Sequence, residues 1–408
     1  MPVLQPRLRF REFANAWTKR KLGKLYVERN ERGNDALPIL SVSIHAGVSK
    51  GELDSDSLGK EVRRSEDKSL YKRVYPGDLV FNMMRAWQGA IGCTEVAGMV
   101  SPAYITAAPG DVVHPPFMDR ALRRTPMVAQ IDSQSYGVTD FRKRLYWDSF
   151  AAIDCALPSV PEQTKIAELM SHLDALIAAN QRKTNLLQQL KRAYLQELFP
   201  APRRAVPRLR FPGFTDAWEQ RKLGDMGTTF TGLSGKTKDD FGHGDAEFIT
   251  YMNVFSNTMA VTEPGTESVE IDSRQSEVRY GDVLFTTSSE TPEEVGMSSV
   301  WLGTRPNVYL NSFCFGWRPT VCVDKSYLGY VLRSPDVRCQ LVLLAQGISR
   351  YNISKNKAME VLVPIPCAEE QSRVGEFLAT LDHLITLHQR KCDLLDELKR
   401  GYLQKMFV

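Results

Sequence analysis

At 408 residues with a formal net charge of +4, the chain is long enough for two or three domains and too evenly charged for its overall charge to name a partner. Hydrophobic residues at 43% and charged residues at 25% exclude a disordered or fibrous chain. No run of about eighteen apolar residues occurs and no apolar stretch opens the sequence, so a membrane span and an export signal are not expected and the cytoplasm is the expected address. Seven cysteines without any CxxC give a disulfide framework or a zinc site little support.

The first recognisable feature is Pro6-Arg7-Leu8-Arg9-Phe10, followed by Ala16-Trp17 and Arg20-Lys21-Leu22-Gly23. The same residues return at Pro207-Arg208-Leu209-Arg210-Phe211, Ala217-Trp218 and Arg221-Lys222-Leu223-Gly224, a constant offset of 201 residues. Repetition of that density, tryptophan included, implies a duplicated frame. The first copy has Phe10-Arg11-Glu12-Phe13 where the second has Phe211-Pro212-Gly213-Phe214, so the first leading segment is expected to pack less tightly.

The body that follows, residues 25–156, mixes glycine and proline with short apolar runs and reads as β-rich. Gly77 suits a turn ahead of Asp78-Leu79-Val80-Phe81-Asn82, which reads as a strand. Arg85, Trp87 and Gln88 come next and combine the groups that read base edges with an aromatic ring, making this loop a candidate DNA-reading loop; a tryptophan capping the core beside a surface ion pair accounts for the same residues. Arg142, Lys143 and Arg144, flanked by Tyr136 and Tyr146, suit phosphate contact or a solvated charged face.

A long helix is expected over 161–199, with Leu169, Leu173, Leu176, Leu187, Leu190 and Tyr194 at three-four spacing and Asn180 and Lys183 in the central slots. Its counterpart over 367–408 has Val374, Phe377, Leu381, Leu384, Leu395, Leu398 and Tyr402, with His388 and Lys391 in the centre. Glu162-Gln163, Leu173-Asp174, Gln181-Arg182-Lys183 and Tyr194-Leu195-Gln196 recur 208 residues later at Glu370-Gln371, Leu381-Asp382, Gln389-Arg390-Lys391 and Tyr402-Leu403-Gln404. Packed as an antiparallel coiled coil, residues whose numbers sum to 571 would meet, setting Asn180 on Lys391 and Lys183 on His388 as a polar layer that fixes the register. Two separate amphipathic helices, each docked on its own body, is the other reading. Some 38 residues would form a rod of roughly 57 Å, which suits a spacer.

The second body opens on Gly232-Leu233-Ser234-Gly235-Lys236-Thr237, which ends like a phosphate loop but has Phe230 where the motif requires glycine. Lys236 and Lys238 are better explained as phosphate contacts on a polar loop. Gly281 precedes a second strand run, Asp282-Val283-Leu284-Phe285. The loop after it carries Glu290, Glu293 and Glu294, acids that repel phosphate, and is expected to be turn chemistry around Pro292. Ser349, Arg350, Tyr351, Asn352 and Lys355 form the strongest candidate reading stretch of this half, with Arg350 suited to guanine and Asn352 to adenine. No catalytic constellation is read: there is no cofactor loop of a methyltransferase, no Asp/Asn-Pro-Pro-aromatic loop, and the six histidines lack metal-ligand spacing. No cofactor is expected in this chain.

This architecture resembles the specificity subunit of type I restriction-modification systems. The resemblance covers nearly the whole chain and is carried by Pro207–Gly224, by Pro161-Glu162-Gln163 and Glu369-Glu370-Gln371 ahead of the two helices, and by the turns at Gly77 and Gly281. It implies an α+β fold in which two β-rich target recognition domains are separated by two long helices forming an antiparallel coiled coil with a pseudo-two-fold repeat. The expected divisions are 1–160, 161–199, 200–366 and 367–408. It further implies a non-catalytic subunit whose two recognition domains each read half of a bipartite site on double-stranded DNA. The implied partners are two methyltransferase subunits using S-adenosylmethionine and two motor-nuclease subunits using ATP and magnesium. An assembly adaptor that binds only proteins is the alternative.

Overall fold

The computed structural model describes residues 4–34, 36–51, 68–139, 142–201, 204–261 and 267–408. By internal contacts the chain forms two units, Met1–Ala179 with Lys391–Val408, and Asn180–Arg390, so that each contains one body and one half of each long helix.

In the first unit β1 (Thr18–Lys21) pairs antiparallel with β6 (Asp154–Leu157), closing the body just ahead of the long helix α4 (Val160–Glu197). Between them β2 (Tyr26–Glu28), β3 (Leu79–Asn82), β4 (Ile91–Cys93) and β5 (Tyr104–Pro109) form an antiparallel sheet in the order β2-β5-β3-β4. Three helices, α1 (Pro115–Leu122), α2 (Thr125–Gln134) and α3 (Trp147–Ala152), and two short antiparallel pairs, Val42–Ser43 with Gly47–Val48 and Lys72–Val74 with Gly98–Val100, complete the body.

The second unit repeats this plan. Here β7 (Glu219–Lys222) pairs with β18 (Leu362–Ile365) ahead of α9 (Ala368–Lys405). Its main sheet consists of β8 (Gly227–Thr231), β10 (Met259–Ala260), β12 (Val283–Thr286), β14 (Ser298–Trp301) and β16 (Cys314–Pro319), ordered β8-β16-β12-β14-β10. The first four strands of that order correspond to the whole sheet of the first body. A second sheet sets β9 (Phe241–Ile249) between β11 (Ser268–Val269) and β15 (Val308–Leu310); in the first body Gly98–Val100 holds the place of β15, pairing with Lys72–Val74 and bridging Ile39 in parallel through Met99. Helix α5 (Tyr251–Ser256), the small pair β13 (Ser288–Ser289) with β17 (Tyr351–Asn352), and helices α6 (Lys325–Val331), α7 (Pro335–Leu343) and α8 (Lys355–Ala358) complete it.

The turns read from Gly77 and Gly281 are the same device. Both glycines have positive φ, 94° and 85°, where a side chain would be strained. The following aspartates are buried: Asp78 accepts from the Tyr75 amide and is paired with Arg29 at 3.0 Å, and Asp282 accepts from the Arg279 amide and is paired with Arg318 at 2.6 Å. Burial is the largest influence on the Asp78 carboxyl and raises its pKa.

The repeated leading segments clasp the starts of the long helices. Glu162 accepts from Arg9 Nε and Nη2, both at 2.7 Å, and from Trp17 Nε1 at 3.4 Å. Glu370 accepts from Arg210 at 2.7 and 2.8 Å and from Trp218 Nε1 at 3.0 Å. The adjacent glutamines hold the other side: Gln163 binds the His114 amide and the carbonyls of Val112 and Pro158, while Gln371 binds the Asp324 amide and the Pro366 carbonyl. The looser packing expected of the first segment is not observed, since Arg9 and Arg210 are equally enclosed. Each helix end also returns to the core, with Leu8 N donating to Lys405 O and Leu209 N to Glu197 O. Phe407 then stacks on Phe117 at 5.0 Å, and Phe199 meets Trp218 edge-on at 6.3 Å.

Within each unit the two helices run antiparallel. Asp174 binds Lys399 at 2.6 Å and Cys392 lies beside the Ile177 carbonyl in the first unit; Lys191 binds Asp382 at 2.6 Å and Tyr194 meets Phe377 at 4.7 Å in the second. The coiled coil and the Tyr194–Phe377 contact are as expected, but the seam is turned by one position. Met170, Ile177, Thr184 and Lys191 accompany Leu173, Asn180, Leu187 and Tyr194 inward; in the second helix Ile385, Cys392 and Lys399 replace Leu384, Lys391 and Leu398, and Leu378 is buried beside a half-buried Phe377. Leu176, Leu190, Leu384 and Leu398 are exposed.

The register residues are corrected accordingly. Lys183 and Lys391 are exposed, whereas Asn180 and Thr184 are buried, and the Asn180 amide oxygen lies 2.9 Å from Nδ1 of His388. The physical reason is that three adjacent heptad positions are substantially apolar and periodicity does not say which two face inward. Lys191 and Lys399 occupy seam positions because their aliphatic stems pack while their ammonium groups reach Asp382 and Asp174.

Candidate nucleic-acid interface

Two loops that are distant in sequence meet in each body. In the first, β3 leads into the turn carrying Arg85 and then a short 3-10 helix over Ala86–Gln88; Ala86 is buried, while Arg85 and Gln88 are exposed. Trp87 is fixed by its Nε1 donating to Met84 O at 2.9 Å, and Gly89, with φ of 101°, ends the turn. The second loop begins after α2 and closes where Tyr136 and Arg144 exchange both backbone hydrogen bonds, at 3.1 and 2.9 Å.

Leu145 N donates to Met83 O at 2.9 Å and Lys143 Nζ lies 5.7 Å from the Trp87 ring centre, so the loops form one surface. Arg85, Trp87 and Gln88 therefore share it with Arg142, Lys143 and Arg144. Arg142 and Arg144 are exposed, Lys143 is tied to Asp132 at 3.1 Å, and Tyr136 packs against Tyr146 at 5.1 Å. The Trp87 ring and both arginines thus present a cationic, aromatic face.

The second body builds the same junction from different residues. After β12 comes β13, which pairs with β17, setting Ser288 opposite Asn352 and Ser289 opposite Tyr351. The loop after α7 closes where Gln346 and Asn352 exchange backbone hydrogen bonds at 2.9 and 2.8 Å, the counterpart of the Tyr136–Arg144 closure. Ser349, Arg350 and Asn352 are exposed on this loop, Tyr351 is half-buried, and Lys355 begins α8.

Arg350 borders a cavity of about 260 Å³ together with Tyr251, Phe255, Ser289, Glu290 and Glu294. Glu294 is engaged as turn chemistry, accepting from Ser289 Oγ and Thr291 Oγ1 at 3.2 and 3.0 Å. Glu290 is exposed at the rim. The proximity of acidic loop and arginine was not legible in the sequence.

Lys236 and Lys238 lie elsewhere, on the connection between β8 and β9. Lys236 is largely buried and paired with Asp272 at 3.4 Å, which also holds Arg274, so it is not presented as a phosphate contact. Lys238 is exposed at the start of a short 3-10 helix capped by Thr237 and Asp240. The likeness to a phosphate loop ends there: the Thr237 hydroxyl is spent on Asp240 at 2.9 Å, and a Cβ at Gly232 would stand 2.1 Å from Asn311 O. Among the described residues no group of three or more His, Cys, Asp or Glu side chains is placed to hold a metal ion, and no helix is long and apolar enough to cross a membrane.

Residues 215–397 match the family model described as the type I restriction modification DNA specificity domain. The chain is also 21% identical over 295 residues to the type I restriction enzyme MjaVIII specificity subunit of Methanocaldococcus jannaschii, covering 64% of this chain and 62% of that protein. It therefore spans somewhat less than two thirds of that relative's length.

Two solved structures share its fold. One is the type I restriction-modification S subunit of M. genitalium, with a TM-score of 0.57, 13% identity and 99% of both chains covered. The other comes from a structural study of complex assembly and conformational transition of the type I system, with a TM-score of 0.53, 18% identity and 96% and 97% of the two chains covered. The resemblance to type I specificity subunits thus rests on sequence through the specificity domain and on fold across the chain.

Proposed function

We propose that this chain is the DNA-reading subunit of a type I restriction-modification complex, with each recognition domain reading one half of a bipartite target. The observation that carries the reading is that one scaffold presents two loops in both bodies, with the same closures and unlike side chains: Arg85, Trp87, Arg142 and Arg144 in one, Glu290, Arg350 and Asn352 in the other. Equal frames with different reading groups are what two different half-targets require. Catalysis belongs to partner subunits, which supply S-adenosylmethionine and ATP with magnesium.

The exposed leucines of the coiled coil support a docking role for the helices. Leu186, Leu190, Leu384 and Leu387 in one unit and Leu176, Leu394 and Leu398 in the other are large apolar groups left facing solvent, which suits methyltransferase partners rather than a free pair of helices. The helices then also set the spacing of the two half-targets. Exchanging residues 25–156 for the body of another specificity subunit, and sequencing methylated genomic DNA, tests the reading. One half of the methylated motif should change while the other stays. A change in both halves, or methylation independent of the body, overturns it.

A further inference from the structure

Val138 and Ile348 are 93% and 95% exposed, the highest values of any large hydrophobic among the described residues; Leu343 follows at 79%. A single exposed aliphatic needs no explanation, but these two occupy the same place. Each stands just inside the loop closure of its body, Tyr136 with Arg144 and Gln346 with Asn352. Each follows a glycine and precedes a hydroxyl residue, in Gly137-Val138-Thr139 and Gly347-Ile348-Ser349.

The glycines are required by the loops themselves. A Cβ at Gly137 would stand 2.3 Å from Arg142 O, and one at Gly347, where φ is 143°, would stand 2.0 Å from Arg350 O. The chain is therefore drawn tight beneath both tips, and the aliphatic is held outward rather than folded back onto the core. Arg142 and Arg144 share the first loop and Arg350 the second, all exposed, so each apolar tip has at least one exposed guanidinium on its own loop. A protein surface with that pairing of groups fits a polyanion whose interior offers apolar contact. Duplex DNA is such a partner, with phosphates for the arginines and thymine methyl groups or base faces for the aliphatic.

We propose that Val138 and Ile348 are specificity-determining residues, each entering a groove of the duplex and making the apolar contact of its own half-target. This rests on the DNA-reading function above. Bulk at the tip sets the contact: Val138→Ala removes two methyl groups and Ile348→Ala three carbons, and at about 0.8 kcal/mol per buried carbon each change corresponds to at least about a tenfold loss of affinity.

The test uses the full chain with co-expressed methyltransferase partner, a pool of random-sequence duplexes for selection, and the selected duplex for titration. Salt-dependent binding of the wild type to the pool checks the DNA-reading function separately. Val138→Ala should weaken binding about tenfold and relax the selected sequence in one half only, and Ile348→Ala in the other. Val138→Ile and Ile348→Val should retain wild-type selection. Replacing thymine by uracil at the relaxed position reproduces the loss if the contact is with a methyl group; if it does not, and DNA bending falls in the alanine variants, the contact is with an opened base step. A wild type that selects a sequence, with alanine variants that select the same sequence at the same affinity, overturns the proposal while leaving the DNA-reading function standing. A wild type that shows no salt-dependent DNA binding overturns both.

Discussion

Replacing Glu370 by alanine should loosen the second unit while leaving the first intact. The carboxylate is buried and accepts three hydrogen bonds, from Arg210 at 2.7 and 2.8 Å and from Trp218 at 3.0 Å. Its removal strands a guanidinium that is only 13% exposed. Breaking a buried pair by removing one partner costs about 3–5 kcal/mol, and the edge of Arg210 that reaches solvent places this case near 3.

That loss is a large share of the stability of one domain, about 5–15 kcal/mol. Because two units give no single unfolding transition, the fitting assay is hydrogen exchange followed peptide by peptide in the full chain. A loss of about 3 kcal/mol should accelerate the slowest amides of the leading segment and the first turns of α9 roughly 150-fold. Peptides around Glu162 should exchange as in the wild type, since Arg9 and Trp17 hold that carboxylate independently. Pairing Glu370→Leu with Arg210→Met should recover most of the loss, because an apolar pair leaves no stranded charge. If Glu370→Ala exchanges within about threefold of the wild type, or the double variant is as loose as the single, the clasp is not what fixes this helix start.

Three further outcomes follow from the same geometry. Leu190→Lys, at an exposed heptad position, should change the melting temperature of the free chain little and weaken its association with methyltransferase partners, whereas Leu381→Lys, in the buried seam, should destabilise the chain by several kcal/mol; the reverse order on melting would restore the seam read from the sequence. Burial raises the Asp119 pKa, so in the window between its ordinary value and that raised value the folded state binds the extra proton and stability rises as pH falls. Asp119→Asn should remove that acid-side gain from the exchange of α1, and an unchanged pH slope would refute the assignment. Arg350→Ala or Asn352→Ala should cost about 1–3 kcal/mol on the selected DNA site and relax one base position; an equal loss on every sequence would make them phosphate contacts.

Much of the architecture was legible because duplication leaves a trace that needs no structure. The repeated Arg9/Trp17 and Arg210/Trp218 spacing, with Glu162-Gln163 and Glu370-Gln371, marked the residues that form both clasps without pairing them, and Gly77 and Gly281 marked the two Gly-Asp turns. Long helices announce themselves by period. The second sheet around β9 left no comparable trace, since the strands at equivalent places, Val308–Leu310 and Gly98–Val100, are three residues long and unlike in sequence.

What the sequence alone determined, then, was the number of frames, their order, and the presence of two helices with a polar centre. Only the tertiary structure decided which of three apolar heptad positions faced inward, because a leucine such as Leu190 and a lysine such as Lys191 exchange roles once Asp382 is near enough to bind the ammonium. Local pattern likewise showed cations at Arg85, Arg142 and Lys236 without distinguishing them. Lys236 is paired with Asp272, from a strand connection far along the chain, while the Met83–Leu145 hydrogen bond brings Arg85 and Arg142 onto one face. Period and spacing are properties of neighbours in sequence; burial and pairing depend on groups that meet only when the chain has folded.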